Sequence, residues 1–301
     1  MPKSSFFANL LPVDHCQFSI QDGISENQLL LLEYKVAQFF GKAHASFMGS
    51  GREAISMVLN KLNLSLDDEV YITTSFNYKN VSSCVTSTIF NYCKPSRVIS
   101  KKTKAIFIIH EFGVFHPDTL SLIKFGKDNN IPVIEDCAHS PFSFDSNSNQ
   151  TGKLADFTIV SLPKIFPVDI GGILVYGNND LSFEVKHTDK HLQVANIANQ
   201  LWDRIDDISQ KRKNIFNVYL AYLKSVYCKP LIDSSCNIFP WFFPIVTELD
   251  QVKTVQKLRA NGIEAGLWHG SKVVILPLHQ YLNVEIVIKA CNIINKSLSG
   301  D

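Results

Sequence analysis

The sequence predicts an α/β fold, a mostly parallel sheet between helices, with a small α+β domain at the C-terminal end. Apolar runs of strand length alternate with segments of helical period between residues 28 and 177. Those runs are apolar throughout, as strands covered on both faces must be. After Asn178 the texture turns helical and polar, which suits a smaller unit. The chain has 301 residues and is 46% hydrophobic, enough to bury a large core. A large domain is expected over residues 1–205 and a small one over 206–301, reached through a long helix.

Residues 28–40 carry apolar side chains at helical spacing and stop at Gly41, a C-cap. Residues 52–62 repeat the pattern, with Ala54, Ile55, Val58, Leu59 and Leu62 on one face and Gly49-Ser50-Gly51 just before. Asp67-Asp68-Glu69 is a turn into a strand over 70–73, and 81–90 forms a helix. A strand over 105–110 leads to a helix capped by Asp118 and running to about 128, then a strand over 131–135. The polar run 144–153 is a surface loop. Strands over 157–161 and 172–176 follow. Beyond them come a long helix over 207–226, a strand over 241–247, a helix over 249–261 ended by Gly262, and a last helix over 284–294.

Formal net charge is +1, from 29 basic and 28 acidic residues, which provides no electrostatic case for nucleic acid or an anionic membrane. Lys101-Lys102-Thr103-Lys104 is a solvated turn. The apolar stretch 238–246 is broken by Pro240 and Pro244 and is too short to cross a bilayer. Residues 1–7 lack the apolar centre of a secretory leader. Seven cysteines (Cys16, Cys84, Cys93, Cys137, Cys228, Cys236, Cys291), odd in number and without a C-x-x-C pair, read as buried thiols of a reducing compartment. A cytoplasmic protein is expected.

The chemistry concentrates at strand ends. Asp136 closes one apolar strand, and Ser161-Leu162-Pro163-Lys164 closes the next, with Gly171-Gly172 following. Ligands of open parallel sheets bind beyond such ends. An amine and an acid there can hold pyridoxal phosphate, whose aldehyde needs a lysine and whose ring nitrogen needs an acid. Gly49-Ser50-Gly51-Arg52 opens a helix, and either a phosphate docks there or Ser50 merely caps it. His139, three residues after Asp136, touches a ligand or is structural; Tyr78 covers a ring face or packs in the core. His110-Glu111 lacks the second histidine of a zinc-protease helix, since position 114 is Val114, and no metal is expected.

In this order (glycine turn and helix, aromatic, strand-end acid, Ser-x-x-Lys, glycine pair) the sequence resembles the DegT/DnrJ/EryC1/StrS family of fold-type I pyridoxal-phosphate aminotransferases. The matching stretches include Ser50-Gly51-Arg52-Glu53-Ala54, His110-Glu111-Phe112-Gly113, Val133-Ile134-Glu135-Asp136-Cys137-Ala138-His139 and Ser161-Leu162-Pro163-Lys164. Asn261-Gly262-Ile263-Glu264 and Leu276-Pro277-Leu278-His279 add to it near the C-terminus. The resemblance implies that Lys164 carries the cofactor as a Schiff base and moves the substrate proton, and that Asp136 pairs with the ring nitrogen. It places His139 near the phenolic oxygen, Gly51, Arg52, Ser161 and the main-chain N–H of Glu53 around the phosphate, and Tyr78 over the ring. Arg52 departs from the small hydroxyl residue usual there. The chain is shorter than is usual in the family, and the intersubunit Asn-x-Arg stretch has no counterpart between 177 and 209.

The resemblance further implies a homodimer that transfers nitrogen from an amino acid, glutamate, to a nucleotide-linked keto sugar for amino-sugar or surface-polysaccharide synthesis. The alternative is a protein of this fold without catalysis, a scaffold or regulator. A Ser–Lys acyl hydrolase would need S-D-N and K-T-G elements downstream of Lys164, and neither is present.

Overall fold

Residues 6–10, 25–268 and 270–298 are described by the computed structural model. Residues 1–5 and Cys16, used above for targeting and redox state, lie outside the described residues. The chain runs through α1 (Glu26–Phe40), β1 (His44–Met48), α2 (Gly51–Lys61), β2 (Glu69–Thr74), α3 (Ser83–Phe90), β3 (Lys94–Ser96), β4 (Thr103–Ile109), α4 (Thr119–Asn129), β5 (Val133–Asp136), β6 (Phe157–Ser161) and β7 (Gly172–Tyr176). It continues through α5 (Asp189–Trp202), α6 (Ile205–Tyr222), β8 (Cys228–Pro230), β9 (Phe243–Thr247), α7 (Gln251–Ala260), β10 (Gly266–Trp268), β11 (Val273–Leu276) and α8 (Val284–Ser297).

The first seven strands form one sheet in the order β1-β7-β6-β5-β4-β2-β3, and β7 alone runs against the rest. Alternation along β4 shows why its sequence is apolar throughout. Ile106 and Ile108 face α4, whereas Ala105, Phe107 and Ile109 face α2 and α3. On the α1 side, Leu29, Leu32, Val36 and Phe40 pack with Val194, Ala198 and Trp202 of α5 over Phe47 and Val160. The last four strands form a separate antiparallel sheet, β10-β11-β9-β8, whose core includes Ile215, Phe216 and Tyr219 of α6, Leu258 of α7 and Ala290 of α8. α6 starts at Ile205 and serves both cores, since Ile208 belongs to the first.

The expected strands and helices are present, with ends shifted by a few residues, and Gly41 caps α1 in the left-handed conformation at φ 64°. Unexpected elements are β1, α5 and the short strands β3, β8, β10 and β11. A four-residue apolar run such as Val273–Leu276 has too little length to show a period. The loop over 144–153 is corrected in part: Ser146, Asn147 and Ser148 are exposed, but Gln150, Thr151 and Gly152 are buried. The thiol expectation also needs correction, because Cys84 and Cys236 are exposed while Cys93, Cys137, Cys228 and Cys291 are buried.

Gln150–Gly152 turns inward to satisfy a buried acid. Glu135 accepts from Gly152 N–H at 2.8 Å and Ala155 N–H at 3.2 Å, and from His110 Nε2 at 2.8 Å. His110 Nδ1 accepts from His116 N–H at 3.0 Å, so the Nε2 proton points at Glu135. Burial alone would raise the Glu135 carboxyl; the His110 bond, the Gly152 N–H and the Lys42 ammonium outweigh it and hold the acid below its usual range. Lys42 donates to Ala155 O at 2.6 Å and Thr158 Oγ1 at 2.7 Å. Burial lowers its amine to about 8. His110, Glu135 and Cys137 offer ligand atoms within 4.8 Å of one another. The Glu135 oxygens are already bonded, and burial holds the Cys137 thiol far above the range in which it ionises.

Glu135→Ala leaves His110 and Lys42 buried without their acid and is expected to cost about 3–5 kcal/mol, read by urea denaturation. The Lys42 amine titrates near 8 when folded and near its ordinary 10.5 when unfolded. Between those values the unfolded chain binds more protons, so stability from this group rises with pH. Wild type should therefore gain stability over Lys42→Met as pH climbs from 8 toward 10.

Candidate active site

The C-terminal ends of β5 and β6 and the N-terminus of α2 open on one cavity of about 210 Å³. Parallel pairing sets Asp136 opposite Ile159, so Ser161 and the 3₁₀ turn Leu162–Lys164 emerge beside the Asp136 carboxylate. Asp136, His139, Ser161, Lys164, Gly51 and Arg52 all line the cavity.

Asp136 is buried and takes one backbone bond, from Ala138 N–H at 2.9 Å. Burial raises its carboxyl, against the pull of the Lys164 charge. Burial lowers the Lys164 amine, against Asp136 and the Cys84 thiol. Desolvation outweighs mutual attraction on both partners, so each group responds strongly to whatever else enters. Lys164 Nζ lies 4.7 Å from the centre of the Trp241 ring. His139 stacks on Trp241 at 4.0 Å and 28°. Burial and the Lys164 charge keep its imidazole neutral, and its Nδ1 has no partner among the described residues.

At the α2 end the N-cap Ser50 Oγ accepts from Glu53 N–H at 3.2 Å, and Glu53 Oε2 accepts from the N–H of Gly49, one residue before the cap, at 2.8 Å. Among the described residues the Gly51 and Arg52 N–H groups have no protein acceptor, so both remain available to an anion. Gly172 lets β7 approach this turn: a Cβ there would collide with the Ser50 carbonyl. Arg52 is exposed at the cavity mouth.

Two expected residues are placed elsewhere. Glu53 N–H is spent on Ser50 Oγ rather than left for a phosphate. Tyr78 is not among the cavity's lining residues; it stacks on Phe76 at 5.8 Å and packs toward the second core. Left-handed Asn77, at φ 50°, turns the chain just before it.

Four contributors escaped the sequence reading. Arg212 of α6 is fully buried and donates to Lys164 O at 3.1 Å and Ile165 O at 2.9 Å, with Nε on Gln280 Oε1 at 2.9 Å. It ties the lysine turn to the second unit. Trp241 and Trp268 come from that unit as well, and Trp268 lines the cavity. Glu111 is the fourth, a buried acid in the cavity wall. Only its place in the His110-Glu111-Phe112-Gly113 run after a strand could have signalled it.

A flat heterocycle bearing an aldehyde and a phosphate matches this arrangement. The cavity offers an amine, a carboxylate, an orphaned imidazole nitrogen, the Ser161 hydroxyl and two free N–H groups at a helix start.

Residues 19–202 match the DegT/DnrJ/EryC1/StrS aminotransferase family. GDP-perosamine synthase of Escherichia coli O157:H7 is 25% identical over 219 residues, covering 67% of this chain and 59% of the relative. The Vibrio cholerae protein of the same name is 24% identical over 229 residues, covering 64% and 61%. The chain thus spans about three-fifths of the length of the curated relatives it matches. The aminotransferase TlmJ from Streptoalloteichus hindustanus superposes with a TM-score of 0.78 at 14% identity, over 97% of this chain and 99% of that one. The putative sugar aminotransferase Spr1654 of Streptococcus pneumoniae, in its PLP form, has a TM-score of 0.77 at 16% identity, over 97% and 99%. These structural likenesses establish a shared fold. The match over residues 19–202, more than half the chain, makes this protein a member of the DegT/DnrJ/EryC1/StrS aminotransferase family.

Proposed function

We propose that the protein is a pyridoxal-phosphate aminotransferase that moves an amino group from an amino acid, glutamate, to a nucleotide-linked keto sugar. The observation that carries this reading is the shared cavity of Lys164 and Asp136, each felt electrostatically by the other at adjacent strand ends. Family membership and the sugar-nucleotide relatives support the acceptor class.

Pyridoxal phosphate, when bound, supplies a protonated pyridine ring that draws electrons from the bonds of the amine-bearing carbon. Lys164 is the residue that would hold it covalently. Its amine, which burial frees of its proton below the ordinary 10.5, would then take and return a proton at that carbon. Asp136 would keep the ring nitrogen protonated. The orphaned Nδ1 of His139 would bond a ring substituent. Gly51 and Arg52 N–H, the Arg52 side chain and Ser161 Oγ would bind the phosphate. Arg212, through the Lys164 and Ile165 carbonyls, orients the lysine turn.

The same reading extends to a homodimer, a cytoplasmic setting, a role in amino-sugar and surface-polysaccharide synthesis, and a division into a cofactor domain over 1–205 and a small domain over 206–301. Among the described residues no helix is long and apolar enough to cross a membrane.

Purified protein is expected to be yellow, and Lys164→Ala to lose the visible band of the attached cofactor. Transamination should fall by at least about 10²-fold, the lower end of what a positioned acid–base group contributes. A colourless wild type that ignores added cofactor would favour a non-catalytic scaffold. Asp136→Asn should retain the band and lose about 10²-fold in turnover, since it removes charge stabilisation and not attachment.

A further inference from the structure

Glu111 is a buried acid that the proposed reaction does not use. It is 2% exposed, lines the cavity, and burial raises its carboxyl. The Thr74 hydroxyl of the same cavity wall bears on it, and its bonds from Phe76 N–H and Trp268 Nε1 are long, both at 3.3 Å. No ion pair covers it among the described residues; Arg97, the cation that reaches it, is exposed and bonded to Asn77. Burial outweighs these three contacts in its carboxyl, so a ligand that supplies further donors is favoured here.

The surroundings define those donors. Trp268 lines the same cavity beside Glu111, packed on Phe112 at 4.7 Å and edge-on to His139 at 5.6 Å. This wall offers an aromatic face next to an acceptor-only group. A ligand carboxylate would be repelled here, so a dicarboxylic donor cannot place its side chain against Glu111. An ammonium would sit at the reacting carbon, beside Lys164. The ligand part that answers both features is a ring with an apolar C–H face and hydroxyls at its edge.

We infer that Glu111 is a specificity-determining residue that accepts hydrogen bonds from the hydroxyl groups of the acceptor's pyranose ring, with Trp268 against the ring face. This rests on the reading of the cavity as a sugar-nucleotide aminotransferase site. It adds the group that separates a hydroxylated acceptor from a simple keto acid. Glu111→Gln is the informative change, because the amide keeps the size and one acceptor oxygen, enough for either Trp268 Nε1 or Phe76 N–H, while losing the charge.

The test is calorimetric titration of cofactor-loaded protein with GDP-mannose, UDP-glucose and dTDP-glucose, each against its free nucleoside diphosphate. At least one sugar nucleotide should bind more tightly than its diphosphate. Glu111→Gln should erase that margin, a loss of about 10- to 100-fold for bonds to a charged group. Diphosphate affinity should stay within error. A margin that survives Glu111→Gln overturns the inference, as does the absence of any margin in wild type. Equal losses for sugar nucleotide and diphosphate, matched in Trp268→Phe, would make Glu111 a mere anchor for the indole and also overturn it. The visible band and its bleaching by glutamate judge the cofactor and donor separately: their failure sinks the proposed function, whereas their success without a sugar margin sinks only the role of Glu111.

Discussion

Everything at this site depends on two strands ending side by side. β5 and β6 pair in parallel, so their last residues reach the same edge of the sheet and deliver Asp136 and the Ser161–Lys164 turn to one place. Asp136 and Lys164 are thereby held in the shared cavity at the sheet's edge. Burial therefore raises the acid and lowers the amine at once, and each opposes that shift on the other. Such a pair is expensive for the empty fold and valuable to a ligand that bonds both members.

Glu135 and Asp136 make the same point by contrast. They are consecutive, both buried, and point to opposite faces of β5. Glu135 has His110, two backbone N–H groups and the nearby Lys42 charge, and its carboxyl falls below the ordinary range. Asp136 has one backbone N–H and the Lys164 charge, and its carboxyl rises. The first is a finished structural network that holds the Gln150–Gly152 turn against the sheet. The second is incomplete within the protein alone. Burial is nearly the same in the two cases; the number of internal partners separates scaffold from site.

The parts of this design that were legible in the sequence are those written in local pattern. Continuous apolar runs located β2, β4, β5, β6 and β7, and the strand-end positions of Asp136 and Lys164 followed from them. Gly51 at a helix start was legible for the same reason. The Glu53 N–H, expected at a phosphate, instead meets Ser50 Oγ, a consequence visible only once the Ser50 cap is in place. Tyr78, expected over the ring, stacks on Phe76 outside the cavity lining, and no local pattern marks that packing. Arg212, Trp241 and Trp268 were illegible for a deeper reason. They act across a sequence distance of tens of residues, through docking of the second core onto the first, and nothing near them in sequence marks that contact.

That docking also explains where backbone strain is held. Phe112 adopts φ 54° and ψ 18°, a conformation a bulky side chain rarely takes and one that costs about 1–3 kcal/mol. Gly113 follows at φ 88°, where a Cβ would lie 2.7 Å from Phe239 O. The sharp turn sends consecutive side chains in different directions. Phe112 enters the second core, while Glu111 stays in the wall of the cavity cut into the first. A relaxed turn would withdraw one or the other. Phe112 packs on Trp268 at 4.7 Å, and Trp268 donates to Glu111, so the strained residue, the indole and the acid form one mechanical unit. The apolar burial of Phe112, of the order of 1.5–3 kcal/mol, is sufficient to hold the turn. The strain is thus offset by the contact between the two cores, and the position of the acid in the cavity depends on that contact remaining closed.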